Sequence, residues 1–189
     1  MAWTTTYPRR DAGHRRRCPR VQQHEDTHRA GTRGHREATF AVATSAGMTQ
    51  ISGVGVFDAV ACPAPPVGYD DFTNLPGMLM HGSLEGCWYT KIVTSKDNGI
   101  PSGVYQERGE EVFVGSVNGG PTGAFATTYH FTSSWDPDVT RGVEVRGRCE
   151  HPIVEGSGTG GLEGATGRLD FKDDVAAGHY PWRGHIRFR

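Results

Sequence analysis

The sequence predicts an all-β fold, an antiparallel β-barrel over residues 82–189, behind an irregular lead-in and a basic extension. Three observations predict it. From Gly82 onward, segments rich in β-branched and aromatic residues alternate with Gly, Asn and Asp turns at short spacing. Within those segments apolar and polar residues alternate with a period of two, and no helical period is sustained. The chain also carries 27 glycines in 189 residues, which favours turns and strand edges over long helices.

Strands are expected at about 82–95, 103–108, 111–118, 122–134, 143–155, 166–173 and 180–188. Glu107-Arg108-Gly109-Glu110 reads as a short hairpin with Gly109 at positive φ, and Asn118-Gly119-Gly120-Pro121 as the next turn. In the strand after it, Phe125, Thr127, Tyr129 and Phe131 share one face. In 143–153 the shared face is Val143, Val145, Gly147, Cys149, His151 and Ile153, against a solvent face of Glu144, Arg146, Arg148 and Glu150. In 180–188, Tyr180, Trp182, Gly184, Ile186 and Phe188 lie together. Seven short strands with tight connections close most simply as a barrel, which also removes exposed edges.

The 189 residues suffice for a core without disulfide support. The formal charge of −1 hides an asymmetry, because residues 1–40 hold nine arginines and only four acids. Residues 1–47 lack apolar periodicity and are expected to form a disordered Arg/His-rich extension, with Met48 an alternative start. A basic arm can bind phosphate backbones, but no aromatic residues interleave with these arginines to stack bases, so no nucleic-acid partner is expected. His24-Glu25-Asp26-Thr27-His28 matches the zinc-protease pattern H-E-x-x-H. That chemistry needs a helix docked on a fold, and no apolar stripe supports one; neither this motif nor Cys18 with His24 and His28 is expected to hold a metal.

No run approaches the ~18 apolar residues of a spanning helix, so no membrane partner is expected. Residues 38–61 end in Ala59-Val60-Ala61, like an export cleavage site, but Thr49, Gln50 and Asp58 interrupt the apolar stretch. Residues 48–81 are expected to be an irregular lead-in with at most one strand. Cys87 and Cys149 are the only cysteines in the expected strands. Sparse, unpatterned cysteine usage suggests free thiols and a cytoplasmic protein.

Gly156-Ser157-Gly158-Thr159-Gly160-Gly161 matches G-x-G-x-x-G, yet no helix follows, as a dinucleotide site requires. Gly156, Gly158, Gly160, Gly161, Gly164 and Gly167 instead read as a glycine-kinked turn between strands. The segment GSGTGGLEGATG resembles the G-x-G-T-G-x-(F/L)-x-x-A-x-G turn of allene oxide cyclases and plant dirigent proteins. The wider stretch GRCEHPIVEGSGTGGLEGATGRLDFKDD, with the final YPWRGHIRFR, looks like the bacterial branch of that barrel superfamily. The resemblance covers about 82–189 and is most specific over 147–174. It implies an eight-stranded antiparallel barrel with an internal apolar cavity, often trimeric, and residues 51–60 could supply the eighth strand. It implies no catalytic residue, because the shared turn is scaffold.

Polar groups facing such a cavity are the candidates for chemistry. Cys149 and His151 point the same way, either as a nucleophile pair or as a small buried thiol plus a histidine near the barrel mouth. Tyr129 either orients a ligand or sits in the core with its hydroxyl at the rim. Glu107 and Glu111 flank the expected turn at 109, which favours a solvated hairpin tip, with Glu107 kept as a candidate cavity carboxylate. Trp88 and Trp182 are core or cavity wall. The expected function is a barrel that binds an apolar small molecule, without a cofactor, and acts as a cyclase or isomerase by shaping its ligand. The alternative is a non-catalytic structural or interaction barrel whose interior is filled.

Overall fold

The computed structural model describes residues 47–189. The expectations for 1–46, including the extension and the His24–His28 motif, lie outside the described residues. The strands are β1 (Thr49–Phe57), β2 (Met78–Gly82), β3 (Leu84–Asp97), β4 (Val104–Val117), β5 (Gly123–Asp136), β6 (Val143–Pro152), β7 (Thr159–Gly160), β8 (Ala165–Lys172) and β9 (Tyr180–Phe188). Eight of them close an antiparallel barrel in the order β1-β2-β3-β4-β5-β6-β8-β9, with β9 returning to β1. The two-residue β7 is an extra strand on the start of β5.

Three expectations about the strands change. Residues 48–81 hold β1 and most of β2, not an irregular lead-in with one strand. Met78-Leu79-Met80 is too short an apolar run for a period of two to stand out in the sequence. The hairpin at 107–110 does not exist, because β4 runs unbroken through Gly109, which pairs with Ile92 on one side and Tyr129 on the other. Gly109 is there for space: a Cβ would collide with the Lys91 carbonyl and the Tyr129 ring. The face pattern of β6 also reverses partway. Ser134 pairs with Arg146 but Trp135 pairs with Glu144, so Val145 is an extra residue in the ladder. Val143 and Val145 are therefore exposed, at 67% and 56%, and Glu144 turns inward. From Gly147 onward the expected face holds, with Cys149, His151 and Ile153 buried.

The barrel interior is layered along its axis. At one end Met80, Leu84, Phe113, Phe125, Leu162 and Ile186 are fully buried and pack as an apolar plug. Toward the other end the inward positions become polar. On β4, Phe113 is followed by Glu111 and Glu107; on β5, Phe125 is followed by Thr127 and Tyr129. The glycine segment turns at the apolar end and delivers Leu162 into the plug. Gly156, Gly160, Gly164 and Gly167 take positive φ there, while a Cβ at Gly158 would run into the Leu162 carbonyl and one at Gly161 into Pro121. Gly158→Val is expected to destabilise the barrel by about 1–3 kcal/mol, read by chemical denaturation. A variant of unchanged stability would contradict this packing.

The segment between β1 and β2 folds back over the outside of the barrel. Phe72 on it packs with Tyr89 and Val112, which face outward from β3 and β4, as a second apolar cluster. Asn74 continues the wall beside β3: its N–H donates to the Thr90 carbonyl at 3.2 Å and its side-chain oxygen accepts from the Ile92 N–H at 2.8 Å. A disulfide joins Cys62 of this segment to Cys87 of β3. The expectation of a free thiol at Cys87 is thus overturned. Residue spacing could not reveal the pairing, because the two cysteines meet only once the segment wraps the barrel wall.

Candidate active site

A cavity of about 220 Å³ occupies the polar end of the barrel. Trp88 forms its floor, packed edge-on to Phe125 and in ring contact with Phe113 and Phe171. Phe57, Tyr180 and Leu75 stand in its wall, the last supplied by the wrapping segment. The interior is thus filled at one end and open at the other.

Glu111 is the hub of the polar layer. It is only 5% exposed and its two oxygens accept from three elements. Thr90 Oγ on β3 donates to Oε1 at 3.1 Å, Thr127 Oγ on β5 donates to Oε2 at 3.1 Å, and His151 Nδ1 on β6 lies 2.5 Å from Oε2. A carboxylate that already accepts hydroxyls accepts the imidazole N–H as well, so Nδ1 carries a proton, and in the neutral ring Nε2 presents a lone pair. Nε2 is buried and has no partner among the described residues. Phe171 and Trp88 contact the imidazole ring, at 4.5 and 5.5 Å between centroids, and hold it in place.

One layer out, Glu107 accepts from two tyrosines, Tyr129 at 2.6 Å and Tyr105 at 2.6 Å. Burial first, then the bond to Glu107, raises the Tyr129 phenol far above its usual range, so it stays a donor. Burial likewise raises the Cys149 thiol, helped by the charge of Glu111, and disfavours a thiolate. Cys149 and His151 share a face but no hydrogen bond joins them, so they do not form a nucleophile pair.

Opposite this network Glu144 meets Asp173, which follows β8. The two carboxyl groups converge over Gly147, where a Cβ would strike both. Taken as ionised, Glu144 Oε1 finds no donor; with one shared proton the pair closes its own hydrogen bond. Burial, then the bond to Asp173, pushes the Glu144 carboxyl up to about 7. Burial also raises Asp173, while Glu144 and then His151 pull it back, so the proton rests on Glu144. Glu144 binds its proton more tightly folded than unfolded. Its contribution to stability is therefore full below about 4.5 and is lost as pH rises through about 7. Over that window stability is expected to fall by about 1 kcal/mol after discounting for solvent at this half-exposed group, and Glu144→Gln should flatten the slope. Urea denaturation at a series of pH values reads it; stability rising across the window would contradict the shared proton.

Of the residues singled out in the sequence, Trp88, Glu107, Tyr129, Cys149 and His151 line this one cavity. Trp182 does not: it packs on Phe171 within the core, with its Nε1 unpartnered. None of the six turn glycines touches the cavity. Glu107 and Glu111 are buried, at 9% and 5% exposed, rather than at a solvated tip. Sequence reasoning missed the role of Glu111, and missed Thr90, Glu144 and Asp173 altogether. Reading 104–117 as one strand would have found Glu111, since Glu107, Glu111 and the core residue Phe113 then share a face. Glu144 had no such signal, because a bulge leaves no mark in composition.

Fold and site together define a closed antiparallel β-barrel with an internal cavity carrying a His–Glu dyad and a proton-sharing carboxyl pair. Comparison with protein-family models, with curated proteins and with solved structures finds no match to this chain.

Proposed function

We propose that the barrel binds a small, largely apolar molecule in its interior and acts on it by proton transfer, as an isomerase or cyclase. The observation that carries this reading is the buried, unpartnered Nε2 of His151 in a cavity of about 220 Å³. A cavity of ~150 Å³ holds benzene, so a ligand of about ten heavy atoms fits the scale. Glu111 orients His151 and stabilises the imidazolium formed when Nε2 takes a proton. Glu144, holding its proton up to about pH 7, is the matching acid. A carboxyl raised by burial and a carboxyl neighbour inside a cavity is a recurring mark of a functional site. The aromatic walls fix ligand orientation, which alone contributes large rate factors.

Kinship with the allene oxide cyclase and dirigent-like superfamily is part of the proposal. The closed eight-stranded barrel and the glycine turn at its plugged end support it. A trimer is the assembly that kinship implies; light scattering at the 20.5 kDa monomer mass would sink that element. The Cys62–Cys87 bond favours an oxidising compartment over the cytoplasm expected from cysteine usage.

The test is a panel of cyclic ketones and enones incubated with the protein in heavy water, read by proton NMR. At least one member that raises the thermal midpoint should exchange its α-protons faster with the wild type and lose that gain with His151→Gln. Ligands that bind yet never exchange would reduce the barrel to a binding protein.

A further inference from the structure

We propose that the ligand of this cavity is a small organic cation, a protonated primary or secondary amine on an apolar ring. The inference rests on reading the cavity as a ligand site and adds the chemical class it selects.

Among the described residues the cavity is lined by four carboxyl groups, Glu107, Glu111, Glu144 and Asp173, with one imidazole and no lysine or arginine. Glu107 is held by tyrosine hydroxyls, and Glu111 by threonine hydroxyls and His151. Hydroxyl donors stabilise a carboxylate without cancelling its charge. Low-dielectric walls then focus a negative field into the enclosed space. An anionic ligand enters against that field and finds no fixed cation among the described residues; an ammonium is drawn in.

Two further observations agree. Trp88, Phe131, Phe171 and Tyr180 line the same space, and aromatic faces attract a cation at close range. Among the described residues Nε2 of His151, on a residue only 3% exposed, has no partner, and it is an acceptor in the neutral ring whose Nδ1–H donates to Glu111. It lacks a donor, and an ammonium N–H is one. A quaternary ammonium has no such proton, and a carboxylate or phosphate would bring only acceptors.

The experiment compares three probes of matched shape by calorimetry and thermal shift on the full chain: phenethylamine, phenethyl alcohol and phenylacetate. Phenethylamine should bind roughly tenfold tighter than the alcohol, the effect of a desolvated cation on aromatic faces. Phenylacetate should give no shift. The double variant Glu144→Gln, Asp173→Asn keeps side-chain volume, removes the pair's one negative charge and should narrow the preference for the amine while still binding the alcohol. Asp173→Asn alone, which replaces the ionised member of the pair, should weaken it in part, should the double variant fold poorly. Alcohol binding as tightly as amine, or phenylacetate binding at all, overturns the cation assignment and leaves the cavity reading standing. No shift with any probe overturns both.

Discussion

Replacing Glu111 by alanine is expected to destabilise the barrel by about 3–5 kcal/mol, the cost of breaking a buried charged network by removing one partner. Glu111 is buried and joins three strands through Thr90, Thr127 and His151. Its loss strands two hydroxyls and an imidazole N–H away from water, and each unsatisfied group adds a desolvation penalty. Glu111→Gln separates structure from chemistry. It keeps the volume and one acceptor oxygen, so most of the stability should remain. It also removes the charge that holds the His151 proton on Nδ1. By analogy with a triad whose aspartate becomes asparagine, proton transfer should fall by on the order of 10³–10⁴. Denaturation curves and heavy-water exchange on the same two variants read the two effects. An alanine variant as stable as the wild type would mean that the hub is not a hub. A glutamine variant with undiminished exchange would remove His151 from the base role.

The second large effect is expected at the disulfide. Cys62 and Cys87 are 25 residues apart, and opening a loop of that size costs about 3 kcal/mol in the chain-entropy account. The consequence reaches the site. The tethered segment carries Phe72 into the outer apolar cluster and Leu75 into the cavity wall. Reduction, or Cys62→Ala with Cys87→Ala, should therefore lower the urea midpoint and also weaken binding of a cavity ligand. Loss of stability without loss of binding would show that packing of Phe72 alone holds Leu75 in position. An unchanged midpoint would show that the bond adds nothing to the packed segment.

The barrel was legible because strand alternation is a local signal. Phe125, Thr127, Tyr129 and Phe131 could be placed on one inner face from their spacing alone, as could Cys149, His151 and Ile153. The glycine turn was legible for a similar reason, since so many glycines in one segment mark backbone that tolerates no Cβ. Legibility failed where a residue's meaning depended on a strand it does not touch in sequence. Gly109 looks like a turn until Tyr129 occupies the space above it. Val145 looks like core until the β5–β6 ladder skips it.

By itself the sequence determined an all-β chain and the inward faces of β5, of β9 and of β6 from Gly147 onward. These follow from a period of two and from burial, which each strand expresses alone. The tertiary structure decided everything that needs two distant strands at once. It brought Glu111 from β4 to His151 on β6, although β5 lies between them and the residues are 40 apart. It set Glu144 against Asp173 over Gly147, and Cys62 against Cys87. Closure of the barrel is the physical reason. Inward side chains converge across the interior only when the sheet curls, and that convergence turns four scattered carboxyl groups and one histidine into a site.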